Sequence, residues 1–212
     1  MGKEREFLLK KINELSYEFK VVSTLSILAI RKNDLPAIKL IHENLNNIYT
    51  KITDKIKQAF GESIIKYIKN EEFNKLPKEL SCVRMIDTYK KFLAYEYLNV
   101  KSDNLIDKVI LNKMSIEFNP FDDLSFINLG RLFLDEGKFK EAIATISYLK
   151  GFSTTYPIYS LSGDIYKKLG RYGEAIENYL TCLRKNKKDN DIIKKLDETY
   201  EEALSWEKRK KI

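Results

Sequence analysis

The N-terminal part of the chain carries two series of mostly hydrophobic positions whose steps alternate between four and three residues. This spacing places each series on one face of an α-helix and is typical of a coiled-coil seam. The first series is Leu8, Ile12, Leu15, Phe19, Val22, Ser26 and Ala29, and the second is Ile38, Ile41, Leu45, Ile48, Ile52 and Ala59. The pattern predicts two consecutive amphipathic helices.

The segment between the two series has the residues of a short interhelical loop. Asp34 is placed to cap the second helix, and Pro36 is tolerated in a first helical turn. Gly61 is expected to end or kink this helix. Two helices of similar length joined by a short loop predict a long antiparallel hairpin, with each arm on the order of 30 Å. We assign this coiled-coil-like region to residues 1–77.

Several hydrophobic side chains of the first helix lie outside its seam. They are Leu9, Leu25, Leu28 and Ile30. Apolar surface of this extent is expected to pack either on the helices that follow or on a partner. Dimerisation through the N-terminal hairpin is the simplest intermolecular outcome.

The C-terminal part of the chain contains an internal repeat with a period of 33 residues. The heptapeptides that begin at Gly137 and Gly170 both read Gly-basic-aromatic-x-Glu-Ala-Ile. The wider match pairs Phe126, Leu129, Gly130, Phe133, Gly137, Phe139, Ala142, Ile146 and Leu149 with Tyr159, Ser162, Gly163, Tyr166, Gly170, Tyr172, Ala175, Tyr179 and Cys182. Each of the two leading glycines is expected to end one helix just before a second helix begins.

These motifs resemble the tetratricopeptide repeat family. Its Leu-Gly-x-x-aromatic and Gly-x-aromatic-x-x-Ala signature is similar to residues 129–133 and 137–142. Two positions depart from the family pattern: Ser162 stands where leucine is expected, and Gly173 lies early in a helix. The resemblance implies stacked antiparallel helix pairs that form a right-handed α-solenoid. The usual function of such a solenoid is to bind another protein.

The predicted fold is all-α, with the long antiparallel hairpin followed by the tetratricopeptide-like solenoid. Residues 78–120 form linking helices, including a helix over about 78–99 and a degenerate repeat over about 84–118. Residues 121–212 hold two repeat units and a C-terminal capping helix, in which Ile193, Leu196 and Tyr200 restate the first-helix pattern.

The resemblance also implies a concave groove lined by the first helix of each repeat. Mapped onto this chain, the groove-facing residues are Ile127, Asn128, Arg131, Asp135, Asp164, Lys167, Lys168, Lys194, Lys195 and Glu198. We expect a mixed but mostly basic groove that holds a carboxylate or an acidic segment, with Leu124 and Ile127 available for an apolar anchor. The predicted partner-binding residues are Asn128, Arg131, Asp164, Lys167, Lys168, Lys194 and Lys195.

The formal net charge of +7 raises nucleic-acid binding as an alternative. Acidic residues are interspersed with the basic ones, and the aromatic residues occupy repeat core positions rather than forming a stacking row. The densest basic run is Lys208-Arg209-Lys210-Lys211, a pattern that usually belongs to a solvated tail. We therefore rank RNA binding below protein binding.

The sequence predicts no catalytic, cofactor-binding or metal site. His42 is the single histidine, and its position predicts a solvated side chain on the polar side of the second helix. Cys82 and Cys182 have no paired spacing, and Cys182 is expected to be buried at a core position of the repeat. The glycines do not form a phosphate-binding loop. We therefore interpret the protein as non-enzymatic.

No run of about 18 apolar residues is present, so we predict a cytoplasmic protein without a membrane span. The leading hypothesis is an adaptor or scaffold that uses the repeat groove and the hairpin to bind proteins. The first alternative is an export chaperone of the flagellar or secretion type, suggested by residues 29–35 and the long helix after them. The second alternative is a basic helical solenoid that binds RNA.

Overall fold

In the computed structural model of the chain, residues 2–210 are described, with Lys210 described by its backbone alone. Lys211, which ends the predicted basic run, lies outside this range. The described chain forms ten α-helices, two short 3-10 turns and no strand, so the all-α prediction is confirmed. The α-helices are α1 (Gly2–Arg31), α2 (Leu35–Phe60), α3 (Ser63–Lys69), α4 (Ser81–Leu98), α5 (Leu105–Phe118), α6 (Asp123–Asp135), α7 (Phe139–Lys150), α8 (Tyr156–Lys168), α9 (Tyr172–Lys185) and α10 (Asn190–Lys210). No helix within residues 2–210 combines the length and the apolar character needed to cross a membrane.

The helices group into two compact units. The first unit runs up to Lys101 and also includes Glu117–Asn119. The second unit comprises Ser102–Ile116 and the described residues from Pro120 onward. The predicted linking segment, residues 78–120, is therefore shared between the two units.

The first unit is built on the predicted antiparallel hairpin of α1 and α2. The carboxylate of Asp34 accepts a hydrogen bond of 3.1 Å from the backbone N–H of Ala37, as expected of a helix cap. Gly61 ends α2 with φ +89°, in the region that favours glycine. At the open end of the hairpin, the guanidinium of Arg5 lies 4.5 Å from the ring centre of Phe60, which confirms that the two helices run in opposite directions.

The buried face of α1 differs from the predicted seam by one position at two places. Ser16 and Ser23 are buried, whereas Leu15 and Val22 are only half-buried. The reason is that α1 packs against both α2 and α4, so its buried face points between two neighbours instead of toward one. The two serine hydroxyls donate hydrogen bonds to carbonyl oxygens one turn earlier in the helix, which satisfies them inside the core.

The prediction of a solvated His42 is wrong, because its side chain is buried on the core face of α2. Its Nε2 atom lies 2.9 Å from Oε2 of Glu117, and its Nδ1 atom lies 3.3 Å from the hydroxyl of Tyr97. The amide of Asn46 donates a 2.8 Å hydrogen bond to the other oxygen of Glu117. Burial lowers the pKa of His42, and this effect outweighs the neighbouring carboxylate of Glu117.

The second unit contains the predicted helix pairs, α6 with α7 and α8 with α9. The glycines that separate the helices of each pair, Gly137 and Gly170, both have φ +69°. At the close contact inside the second pair, a Cβ atom on Gly163 would lie less than 3.0 Å from the ring of Tyr179. Because only a residue without a side chain fits there, the small-beside-large packing predicted from the repeat is confirmed.

The last helix, α10, covers the end of the second helix pair. Ile192 and Leu196 of α10 are buried against Ala175, Tyr179 and Cys182 of α9. This arrangement agrees with the predicted capping helix and with the predicted burial of Cys182. Burial raises the pKa of the Cys182 thiol to about 11, so the thiol is protonated at neutral pH.

Candidate partner-binding groove

The second unit has a cleft of about 710 Å³ along the faces of α8 and α10. The first helix of each repeat contributes to it, together with two aromatic side chains from the second helices. The lining residues are Leu134, Asp135, Gly137, Phe139, Asp164, Lys167, Lys168, Tyr179, Lys195, Glu198 and Glu202. The cleft therefore lies where the repeat pattern predicts a groove.

Asp164 is held in the cleft by contacts from two other helices. The hydroxyl of Tyr179 donates a 2.7 Å hydrogen bond to its Oδ1 atom, and the ammonium of Lys195 lies 3.0 Å from its Oδ2 atom. Burial and the adjacent carboxylate both raise the pKa of Tyr179, so the phenol remains a hydrogen-bond donor. Lys195 is also 3.6 Å from Asp191 on its own helix. This local network fixes α8, α9 and α10 relative to one another.

A second set of ion pairs surrounds Lys167. Its ammonium lies 3.2 Å from a carboxylate oxygen of Glu198 and 3.2 Å from one of Glu202. Burial alone would lower the pKa of Lys167, but the hydrogen bonds to Glu202 and Glu198 raise it above its usual value. We call Asp164, Lys167, Lys195, Glu198 and Glu202 the α8–α10 ion-pair ladder.

The charge of the cleft differs from the expected mostly basic groove. Four carboxylates and three lysines are among the residues that line it. The repeat alignment placed the lysines on the groove-facing side, but it did not include Glu202, which lies one turn beyond Glu198. Because these acids are paired with Lys167, the cleft is mixed in charge and is not a cationic surface.

The structure brings together four of the seven predicted partner-binding residues in the cleft: Asp164, Lys167, Lys168 and Lys195. Lys194 is exposed on α10, with its ammonium 4.0 Å from Glu198. Asn128 and Arg131 lie on α6 outside the residues that line the cleft; the first is half-buried and the second is exposed.

The expected position of Ile127 in the groove is wrong. Its side chain is 5% exposed and packs in the core with Phe126 and Ile146. Leu134 and Phe139 line the cleft, although the repeat pattern did not predict them there. Leu124, the other predicted anchor position, is exposed on α6.

The described part of the chain offers no arrangement of three or more histidine, cysteine, aspartate or glutamate side chains that could hold a metal ion. The cleft itself contains carboxylates and lysines that neutralise one another.

Comparisons with known proteins agree with the repeat interpretation. Residues 156–189, which include α8 and α9, match the tetratricopeptide repeat model, so this part of the chain is a tetratricopeptide repeat. A search of curated protein sequences gives no significant match.

Two solved structures resemble the chain at low sequence identity. The assembly chaperone of RpL4, Acl4, is 10% identical with a TM-score of 0.50, and the match covers 98% of this chain and 99% of that one. A thermophilic tetratricopeptide repeat protein from Thermus thermophilus is 14% identical with a TM-score of 0.44, over 86% of this chain and 98% of that one. The likeness to Acl4 is one of fold alone.

Proposed function

We propose that this chain is a non-enzymatic, cytoplasmic adaptor whose repeat groove binds a polypeptide segment of another protein. The observation that carries the proposal is the cleft along α8 and α10, formed by a repeat of the tetratricopeptide class. Repeats of this class present side chains of successive first helices on one continuous surface. A segment of several residues fits a cleft of about 710 Å³.

The chemistry of the cleft suggests which segment it binds. The residues of the α8–α10 ion-pair ladder line it, together with the apolar side chains of Leu134 and Phe139. Exposed cations are found at Arg131, Lys168 and Lys194. We infer that the partner segment places an apolar side chain against Leu134 and Phe139 and directs carboxylates toward the exposed cations.

The ladder residues have a different role in this proposal from the exposed cations. Lys167 and Lys195 already have carboxylate partners, so a ligand carboxylate gains little by displacing those partners. We therefore assign Asp164, Lys167 and Lys195 to shaping the groove, and the exposed cations to contact with the partner. Asn128, half-buried on α6, is retained as a candidate hydrogen-bonding residue.

A charge-reversal pull-down tests the proposal. The variant carries Arg131→Glu, Lys168→Glu and Lys194→Glu, none of which removes a ladder lysine. The matched control carries Arg184→Glu, Lys187→Glu and Lys188→Glu, which make the same change in charge on exposed residues around the end of α9. Circular dichroism first establishes that both variants are as helical as the original protein. Capture of the identified partner should be lost in the first variant and kept in the control.

Full capture by a folded groove variant would place the binding surface elsewhere. A nuclease-treated sample at raised salt separates the RNA-binding alternative, since an RNA-dependent set of partners would disappear on nuclease treatment. The mixed charge of the cleft gives this alternative no added support. The export-chaperone alternative instead predicts that the captured protein is an export substrate bound through the N-terminal hairpin, and removal of groove charge would leave that capture unchanged.

A further inference from the structure

The outer face of α1 carries an apolar stripe that the rest of the described chain leaves exposed. The stripe consists of Tyr17, Val21, Leu25 and Leu28, which are 69%, 44%, 50% and 48% exposed. Their steps of four, four and three residues place them on one side of the helix. The buried face of α1, which includes Phe19, Ser23 and Ser26, lies on the opposite side. One helix therefore has two apolar faces, and only one is covered.

Opposite charges lie at the two ends of this stripe. Glu14 lies one turn before Tyr17, and Lys32, in the turn that directly follows α1, lies four residues after Leu28. Both charged side chains are exposed, and Glu14 is also 2.7 Å from Lys11 on the same helix. A carboxylate that is ion-paired with Lys11 thus precedes the stripe and an ammonium follows it, separated by apolar residues that span on the order of 16 Å at 1.5 Å per residue.

This order of charges makes the stripe complementary to itself in one orientation. If two copies of α1 pair in an antiparallel manner about Ser23, Glu14 of each copy lies opposite Lys32 of the other. Val21 then lies opposite Leu25 of the second copy, and Tyr17 lies beside its Leu28. A parallel pairing would place Glu14 against Glu14 and Lys32 against Lys32, which is unfavourable.

We propose that the exposed face of α1 is a homodimer interface in which two copies pair antiparallel about a two-fold axis that passes between Val21 and Leu25, level with Ser23 along the helix. A two-fold axis uses the same patch on both copies, so both apolar stripes become covered and the Glu14–Lys32 pair forms twice. The inference is independent of the partner that the repeat groove binds. Its functional consequence is a particle with two grooves, which binds a multivalent partner more tightly through effective concentration.

The central test is the mass of the full chain as a function of protein concentration, measured by sedimentation velocity and light scattering. The original protein should be a dimer at micromolar concentration. The variant Val21→Glu with Leu25→Glu should be a monomer, because four carboxylates would meet at the centre of the interface. The control variant Asn13→Glu with Lys20→Glu changes exposed positions of α1 outside the stripe and should remain dimeric.

A charge exchange tests the orientation. Glu14→Lys and Lys32→Glu should each raise the dimer dissociation constant on the order of tenfold, since symmetry repeats each unfavourable pair twice. The double variant should restore the original dissociation constant, because its charges are exchanged but still complementary. Failure of the double variant to restore dimerisation would overturn the antiparallel arrangement.

Two further outcomes would overturn the proposed interface itself. If the protein is a monomer over the whole concentration range, the stripe does not mediate homodimerisation. Dimerisation unchanged by Val21→Glu with Leu25→Glu would place the interface on another surface. If that variant loses helicity, Val21→Ser with Leu25→Ser provides the same test without introducing charge, and it should still yield a monomer.

Discussion

The hydroxyl of Tyr179 on α9 donates a 2.7 Å hydrogen bond to the carboxylate of Asp164 on α8, and its ring fills the space left open by Gly163. A single side chain therefore packs the two helices of one repeat and also orients a charge in the candidate groove. This relationship links the stability of the repeat to the geometry of the surface proposed to bind a partner.

Replacement of Tyr179 by phenylalanine should remove the hydrogen bond and keep the packing. We expect a loss of about 0.5–1.5 kcal/mol in the free energy of unfolding, since Asp164 keeps its ion pair with Lys195. Denaturant unfolding of the original and variant proteins measures this loss. An equal loss for Tyr200→Phe, a tyrosine exposed on α10, would show that the effect is not specific to this contact.

Gly163→Ala should destabilise the second repeat. The added methyl group would lie less than 3.0 Å from the ring of Tyr179, so the helices must separate. We expect this separation to cost about 1–3 kcal/mol. Gly173→Ala is the matched control, because no heavy atom lies within 4 Å of the added methyl group. That change should stabilise α9 by up to about 1 kcal/mol. Thermal unfolding of the two variants should therefore shift in opposite directions.

Ala142→Leu should also destabilise the protein, through overpacking in the first repeat. Ala142 is fully buried in a core with Ile146 and Leu161. We expect a cost of about 1–3 kcal/mol, because the larger side chain has no space to occupy. Ala144→Leu changes an exposed position of the same helix and should have little effect. Unchanged thermal stability of Ala142→Leu would contradict the packing of this repeat.

The buried His42 should make stability depend on pH. Its pKa in the folded protein is lowered from 6.5, mainly by burial, so the unfolded chain binds the proton more readily. The contribution to stability is therefore complete above about pH 6.5 and is lost as the pH falls through the folded-state pKa. Urea unfolding from pH 7.5 to 5 should show this decrease.

The variant His42→Gln separates the histidine from other acidic groups. Glutamine retains hydrogen-bonding capacity toward Glu117 and Tyr97 but does not titrate in this range. The slope of stability against pH should become flatter in this variant. An identical slope in the two proteins would assign the pH dependence to other groups.

The two cysteines should differ in their reactivity toward an alkylating reagent. Cys182 is buried and its pKa is raised to about 11, so little thiolate is available at pH 8. Cys82 is partly exposed. Mass spectrometry after brief treatment with iodoacetamide should find modification at Cys82 first, and modification of Cys182 should require denaturant. Equal rates at both cysteines in the folded protein would contradict the packing around Cys182.

Local patterns were sufficient to predict the two hairpin helices and the repeat. The helix cap at Asp34, the end of α2 at Gly61 and the left-handed glycines at 137 and 170 depend on contacts within a few residues, which a sequence records directly. The repeat could be recognised because the same residue types occupy the same packing positions in each unit. Its small residue at Gly163 and its large residue at Tyr179 are such a pair.

The candidate groove was only partly predictable for a different reason. Lys167 and Lys195 could be placed on the groove side by the repeat spacing, but their carboxylate partners come from other helices or other turns. The seam of α1 was displaced toward Ser16 and Ser23 because α4 also packs on that helix. The residue pattern within one helix does not specify where a second neighbouring helix packs against it.

The sequence by itself therefore determined the helical class, the repeat and the residues at its close contacts, because these follow from short-range periodicity and side-chain size. Only the tertiary structure decided that His42 is buried beside Glu117 and that Lys167 is neutralised by Glu198 and Glu202. Burial and charge pairing depend on which surfaces meet across a long separation in the chain. Such contacts are determined by the packing of whole helices against one another, and the sequence of a single helix does not specify them.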